Sequence, residues 1–285
     1  MQLSYLTDDA LENFIVNAFS EDVGDGDHST LASVPETAIN SAMVLFKDSG
    51  IAAGMEMTRM IFNHFDPSVE LNFLVNDGDE VSQGDIGVRI HGSSQSILTC
   101  ERLSLNCMQR MSGIATYTKK LKTLIGHTKA ELLDTRKTTP NFRLAEKWAV
   151  AIGGGTNHRY GLYDMVMLKD NHIDFAGSIE KAVSATKKYL QKTNKQLKIE
   201  VETRNMDEVN QALKAKVDVI MLDNMSIDMM TEAVKKIGNL CKTEASGGIT
   251  EKTISAVAEC GVDYISVGAL THSTKSLDIS LKATK

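Results

Sequence analysis

Along the second half of the chain, short apolar runs alternate with segments of helical period. The runs are Leu132-Leu133, Met165-Val-Met-Leu168, Ile199-Glu-Val201, Val219-Ile-Met-Leu222 and Tyr264-Ile-Ser-Val267, with residues 242–245 a weaker member. Between them, residues 179–190, 206–214, 227–237 and 254–260 repeat apolar positions at the spacing of one helix face. Caps mark several starts: Asn205 stands three residues before Glu208, and Ser178 and Ser226 precede their helices. Buried strands alternating with amphipathic helices mean βαβ units and a parallel sheet. About six strands without a dinucleotide fingerprint favour an α/β barrel over an open sheet. The one glycine run, Gly153-Gly-Gly155, does not follow a strand.

The first hundred residues read differently. Thr7 caps a helix whose Leu11, Phe14, Ile15, Ala18 and Phe19 share one face. Strand-like pieces follow at 41–47, 69–75 and 86–90, punctuated by glycine turns, which makes an α+β domain. A long helix over 101–122 then leads towards the barrel. The turns Gly78-Asp79 and Gly84-Asp85 resemble the hairpin of a lipoyl or biotinyl carrier, but residues 75–92 hold no lysine to carry the group. A structural β-hairpin is expected there.

Composition narrows the function classes. The 31 Lys and Arg against 37 Asp and Glu give a net charge of −6, and the basic residues are scattered, which excludes a nucleic-acid binder. No apolar run approaches the ~18 residues of a membrane span. Residues 1–20 carry Asp8, Asp9 and Glu12 and lack the basic start and apolar centre of a signal peptide. Cys100, Cys107, Cys241 and Cys260 show no CxxC spacing and read as buried reduced thiols, so neither zinc nor disulfides are expected. With only three prolines, long Pro-rich linkers are absent, and a cytoplasmic protein without membrane or nucleic-acid partners is expected.

The chemistry stands at the strand ends, which together form the active site of an α/β barrel. The first strand runs into Asp134-Thr-Arg136-Lys137-Thr-Thr139 and the second into Lys169-Asp-Asn-His172. Later strands end in Glu202, in Asp223-Asn224, in Glu244-Ala-Ser246-Gly247-Gly248 and in Ser266-Val-Gly268. Closure gathers Arg136, Lys137 and Lys169 near Glu202 and Asp223, with His158 and Arg159 joining from a loop. A single Arg, Lys or Asp after a strand is commonly a solvated loop residue or a helix cap. The set instead indicates a polyanionic substrate and a divalent metal, because Arg binds carboxylate or phosphate bidentately and paired carboxylates beside phosphates hold Mg²⁺. Glycines at the last two strands occupy the place where barrels bind phosphate through backbone N–H groups and a helix N-terminus.

The helix after Glu101 is apolar over most of its circumference, through Leu103, Leu105, Cys107, Met108, Met111 and Ile114. Arg102, Asn106, Gln109 and Gly113 align on one narrow polar face. A buried arginine needs an anion, either a structural carboxylate or a substrate.

Together these residues resemble the quinolinate phosphoribosyltransferase family over nearly the whole chain. The resemblance rests on Glu101-Arg-Leu-Ser-Leu-Asn106, Asp134-Thr-Arg-Lys-Thr138, Gly153-Gly-Gly-Thr-Asn-His-Arg159, Met167-Leu-Lys-Asp-Asn-His172, Glu200-Val-Glu202, Met221-Leu-Asp-Asn224, Ala245-Ser-Gly-Gly-Ile249 and Ser266-Val-Gly-Ala-Leu-Thr-His-Ser273. Glu21-Asp22 and Gly26-Asp27 also match, while Ser29 stands where the family more often has Thr. The resemblance implies an N-terminal α/β sandwich, drawn at 1–113 with the tail 273–285 packing on it, and an incomplete α/β barrel over 114–272. It implies joining quinolinate to phosphoribosyl pyrophosphate with Mg²⁺, giving nicotinate mononucleotide, pyrophosphate and CO₂, in a homodimer with shared sites. By motif, Arg136, Lys137, His158, Arg159 and Lys169 line the quinolinate site, and Arg102 reaches in from the partner subunit. Glu202 and Asp223 face the ribose and metal; Ser246, Gly247, Gly248 and Gly268 hold the 5′-phosphate, and His272 joins the substrate-binding set. Lys137, Lys169 or water protonates C2 after CO₂ leaves. A paralogue of the molybdenum-locus type with another acceptor, and a non-catalytic anion-binding barrel, are the alternatives.

Overall fold

The structure is a computed structural model that describes residues 3–284. Met1 and Gln2 of the expected first domain and Lys285 of its tail lie outside the described residues. The chain begins with α1 (Asp8–Asp22), α2 (His28–Ser33), β1 (Ile39–Phe46), β2 (Gly50–Ile51), α3 (Met55–Phe65), β3 (Glu70–Phe73), β4 (Glu80–Val81), β5 (Ile86–Ser93) and α4 (Ser94–Leu124). Then come β6 (Glu131–Leu133), α5 (Arg143–Ile152), β7 (Val166–Leu168), α6 (Asp170–Ala176), α7 (Ile179–Lys192), β8 (Ile199–Thr203), α8 (Met206–Ala215) and β9 (Val219–Asp223). The remainder is α9 (Ile227–Ile237), β10 (Lys242–Ser246), α10 (Ile254–Glu259), β11 (Tyr264–Ser266), α11 (Ala269–His272) and β12 (Ile279–Thr284).

Two compact units form, and their borders interleave. One comprises Met1–Lys119, Thr138–Gly154 and Ala269–Lys285; the other comprises Lys120–Lys137 and Gly155–Gly268. The sequence-order cut at 113/114 therefore places α5 with the barrel, whereas its contacts group it with the first unit.

The first unit is built on an antiparallel sheet of order β12-β1-β5-β3. Alternation in β1 buries Ala42, Val44 and Phe46, as a strand with one covered face requires. Thr7 caps α1 by accepting from the Ala10 N–H. The expected hairpin is a wide one: residues 74–85 join the antiparallel neighbours β3 and β5, and within the connection β4 pairs with β2, Gly50 opposite Val81. Its flanking turns close on carboxylates, Asp79 accepting from the Asn76 N–H and Asp85 from the Ser82 N–H. Such side-chain turns need no paired strands around them.

Within this unit the polar stripe of α4 divides. Gln109 donates to the Ile279 carbonyl at 2.6 Å and accepts from the Leu277 N–H. A Cβ at Gly113 would strike the Lys275 carbonyl, so only glycine admits the returning chain. Arg102 and Asn106 are exposed, which corrects the expectation of a buried Arg102. The arginine that is tied to a buried anion is Arg110, 2.8 Å from fully buried Glu146 and also donating to the carbonyls of Thr271 and Thr274.

In the second unit six parallel strands run β6-β11-β10-β9-β8-β7. The two strands first in sequence lie at opposite ends, and no ladder joins them among the described residues, so the barrel is incomplete. Ser178, Asn205 and Ser226 cap α7, α8 and α9, each accepting the backbone N–H three residues on; each such cap contributes about 1 kcal/mol. At the strand starts, Asp263 accepts from Lys242 at 2.9 Å, Thr243 N–H and Thr243 Oγ1, and lies 3.4 Å from Lys129. The four cysteines are free; burial pushes the Cys100 and Cys107 thiols up to about 12, while Cys241 is only half-buried.

Candidate active site

Register decides which side chains share the barrel interior. Val219 pairs with Glu200 and Lys242, Met221 with Glu202 and Glu244, and Asp223 with Ser246. Side chains alternate along a strand, so Glu200, Glu202, Met221, Asp223, Glu244 and Ser246 all project from one face. Met167, opposite Glu200, is on it too, and Lys169 lies two residues further along. Lys169 Nζ stands 3.4 Å from Glu202 Oε2. Asp223 accepts from Asn224 Nδ2 at 2.7 Å, and the Asn224 N–H bonds the Ser246 carbonyl.

Two guanidiniums form the cationic side. Arg136 Nε is buried without a hydrogen-bond partner. Burial, and then the charge of nearby Arg136, lowers the pKa of Arg159. Arg159 is half-buried and donates to the Met165 carbonyl and to Met167 Sδ. Two like charges held together with an unsatisfied donor make a receptor for an anion with more than one negative oxygen. Lys137 is exposed, its backbone N–H held by Thr135 Oγ1.

His158 sits deeper than its expected place on the substrate wall. Its side chain is 7% exposed, and Nε2 lies 3.2 Å from Glu200 Oε2 and 3.2 Å from Glu244 Oε2, both carboxylates being 1% exposed. Burial opposes a charge here, but the two glutamates outweigh it and raise the His158 pKa to about 10; burial first, and then the charge of Glu244, raises Glu200 to about 7. Fully buried Asp134 clamps the same loop, accepting from the His158 N–H at 2.9 Å and from Asn157 Nδ2 at 2.6 Å. Sequence reasoning assigned no role to Asp134, Glu200 or Glu244. The available signal was the period of two, which places Glu200 on the face of Glu202 and Glu244 on that of Ser246.

The glycine turn after β10 has the shape an anion cradle needs. Gly247 and Gly248 have φ of +98° and +58°, and a Cβ at Gly247 would collide with the Asn224 side chain. A cavity of about 230 Å³ adjoins this turn, walled by Met225, Met230 and Val257. Of the expected helix N-termini, that of α10 begins only at Ile254, six residues past Gly248, whereas the short α11 starts directly after Gly268. The backbone itself must supply the donors. Arg102 and His272 belong to the first unit, both exposed.

An incomplete α/β barrel with paired cations, paired acids and a glycine cradle at its strand ends defines an anion-binding transferase site. The C-terminal domain of quinolinate phosphoribosyl transferase matches residues 114–282, and its N-terminal domain matches 27–112. The quinolinate phosphoribosyltransferase [decarboxylating] 1b of Nicotiana tabacum is 46% identical, covering 95% of this chain and 82% of that protein. The probable nicotinate-nucleotide pyrophosphorylase [carboxylating] of Bacillus subtilis is 41% identical, covering 96% and 93%. The nicotinate-nucleotide pyrophosphorylase structure from Francisella tularensis superposes with a TM-score of 0.91 at 39% identity, covering 100% of this chain and 99% of that one. The chain belongs to the quinolinate phosphoribosyltransferase family.

Proposed function

We propose that this enzyme transfers phosphoribosyl from phosphoribosyl pyrophosphate to quinolinate and decarboxylates the product to nicotinate mononucleotide. The observation that carries this reading is the Arg136–Arg159 pair with its buried, unpaired Nε. Quinolinate has two adjacent carboxylates, so two fixed guanidiniums reward it over singly charged nicotinate. Glu202 and Asp223, beside the reacting ribose, stabilise the positive charge that develops at C1 as pyrophosphate departs. Ser246, Gly247, Gly248 and Gly268 hold the 5′-phosphate through backbone donors. Once glycosylated, the ring nitrogen is cationic, so loss of CO₂ leaves a C2 carbanion which that charge stabilises; Lys137, Lys169 or water then delivers the proton.

The carboxylates Glu202 and Asp223 are hard oxygen donors from one face of neighbouring strands, a set that suits Mg²⁺ retaining several waters. They would hold the ion, which when bound neutralises charge on the leaving diphosphate. We also propose a homodimer with shared sites, in which exposed Arg102 serves the partner subunit. Free cysteines suit a reducing compartment such as the cytoplasm. The relatives named for the quinolinate reaction favour it over another pyridine acceptor. The test follows CO₂ release and nicotinate mononucleotide formation with quinolinate, nicotinate and other pyridine acids. Wild type should turn over quinolinate alone, and Arg136→Ala should abolish turnover with its circular dichroism unchanged. Near-normal activity of Arg136→Ala would show that this cation is a solvated loop residue.

A further inference from the structure

The buried cluster of His158, Glu200 and Glu244 carries more than packing. The donor atoms of all three lie within 4.8 Å of one another, the spacing of a metal centre. The ring's other nitrogen argues for a different role. His158 Nδ1 accepts the Arg159 N–H at 2.6 Å. Against burial, the two glutamates pull the ring towards a second proton, but an Nδ1 that accepts an N–H at 2.6 Å has no room for one; the single proton then sits on Nε2, which keeps no lone pair for a metal. That nitrogen stands between two carboxylates, 3.2 Å from an oxygen of each. His158 Nε2, both Glu200 oxygens and Glu244 Oε1 fall short of hydrogen-bond geometry, so the two carboxylates meet the ring through the 3.2 Å contacts alone.

The ring orientation in turn fixes Arg159. Its backbone N–H is held by Nδ1, its guanidinium by the Met165 carbonyl and Met167 Sδ, and the preceding peptide by Asp134. Arg136 repels the guanidinium, so an Arg159 released at its backbone would swing towards solvent.

We propose that Glu200 and Glu244 are positioning residues: by flanking the Nε2–H of His158 at 3.2 Å they fix the imidazole, which holds Arg159 beside Arg136 in the geometry that receives the quinolinate carboxylates. This rests on the function proposed above and adds to it two residues that touch no substrate.

The test combines ring-nitrogen NMR of histidine-labelled wild type, assigned with His158→Gln, with binding and kinetics of Glu244→Leu and Glu244→Gln. Wild-type His158 should be protonated at Nε2, and Glu244→Leu should bind quinolinate about tenfold more weakly, the scale of one lost hydrogen bond to a charged group. The KM for phosphoribosyl pyrophosphate should stay within about twofold, which a general loss of structure would not allow. Glu244→Gln, whose amide oxygen still accepts, should recover quinolinate affinity to within about threefold of wild type. If Glu244→Leu does not fold, Glu200→Leu carries the same expectations. Undiminished quinolinate affinity in the folded leucine variant, parallel loss for both substrates, or an Nδ1–H tautomer would overturn the proposal. So would a stoichiometric metal ion found in purified wild type and lost in Glu244→Gln. The ring NMR needs no substrate and therefore judges the lock separately; a wild type inert towards quinolinate would instead sink the functional reading.

Discussion

Replacing Gly247 by alanine should separate backbone strain from steric collision at the glycine cradle. Gly247 and its neighbour Gly248 both have positive φ, +98° and +58°. At Gly248 a Cβ meets nothing within 4 Å, so Gly248→Ala suffers only the left-handed penalty of about 1–2 kcal/mol. At Gly247 the new methyl also overlaps Oδ1, Cγ and Nδ2 of Asn224, adding an overpacking cost of about 1–3 kcal/mol. With about 3 °C lost per kcal/mol in a chain of this size, Gly248→Ala should melt about 3–6 °C early and Gly247→Ala about 6–15 °C early. Asn224 Nδ2 also holds Asp223 Oδ2, so displacing Asn224 should raise the KM for phosphoribosyl pyrophosphate more than the KM for quinolinate. The decisive comparison is Gly247→Ala in an Asn224→Gly background. Asn224 itself has φ of 53°, which glycine tolerates, so the double variant should recover most of the collision cost as a coupling energy of about 1–3 kcal/mol. Equal melting of the two alanine variants, or strict additivity of Gly247→Ala with Asn224→Gly, would refute this account of the turn.

Activity should depend on added Mg²⁺, and Glu202→Ala and Asp223→Ala should each raise the concentration needed; full activity in excess chelator would remove both residues from that role. Mixing inactive Arg102→Ala with inactive Lys137→Ala under subunit exchange should restore about a quarter of wild-type activity, since about half the dimers are mixed and one of their two sites is intact; no recovery despite confirmed exchange would mean that Arg102 does not act across subunits. Against the cost of burial, hydrogen bonds from Lys242 and Thr243 hold the Asp263 pKa below its ordinary 3.8. A depressed carboxylate contributes stability that is present above its unfolded pKa and lost as pH falls through the folded value. Asp263→Asn should therefore cost about 1–3 kcal/mol at neutral pH and flatten the acid limb of a pH–stability curve below about pH 4; an unchanged acid limb would show that Asp263 does not titrate against the fold.

Much of this was legible in the chain itself, because the signals are local. Alternating runs placed the six barrel strands, and Ser178, Asn205 and Ser226 marked helix starts, since a cap needs only a side chain and an N–H three residues away. Strand ends could be read for chemistry because backbone direction alone sends them to one rim. Tertiary structure decided what depends on pairing partners. Residues 75–86 carry turn signals in either case, yet β4 pairs with distant β2. Helix α5 joins the first unit although it lies between barrel strands. Arg102 and Arg110 stand on the same helix, and only the returning Glu146, Thr271 and Thr274 determine that Arg110 is the one tied down. His158 read as a substrate-site residue because a loop histidine among cations faces anions; the structure adds the carboxylates of Glu200 and Glu244, 3.2 Å from its ring. Local periodicity specifies which face a residue takes, but its partner is set by register and by distant segments, as Arg110 and the Thr271 carbonyl, 161 residues apart, illustrate.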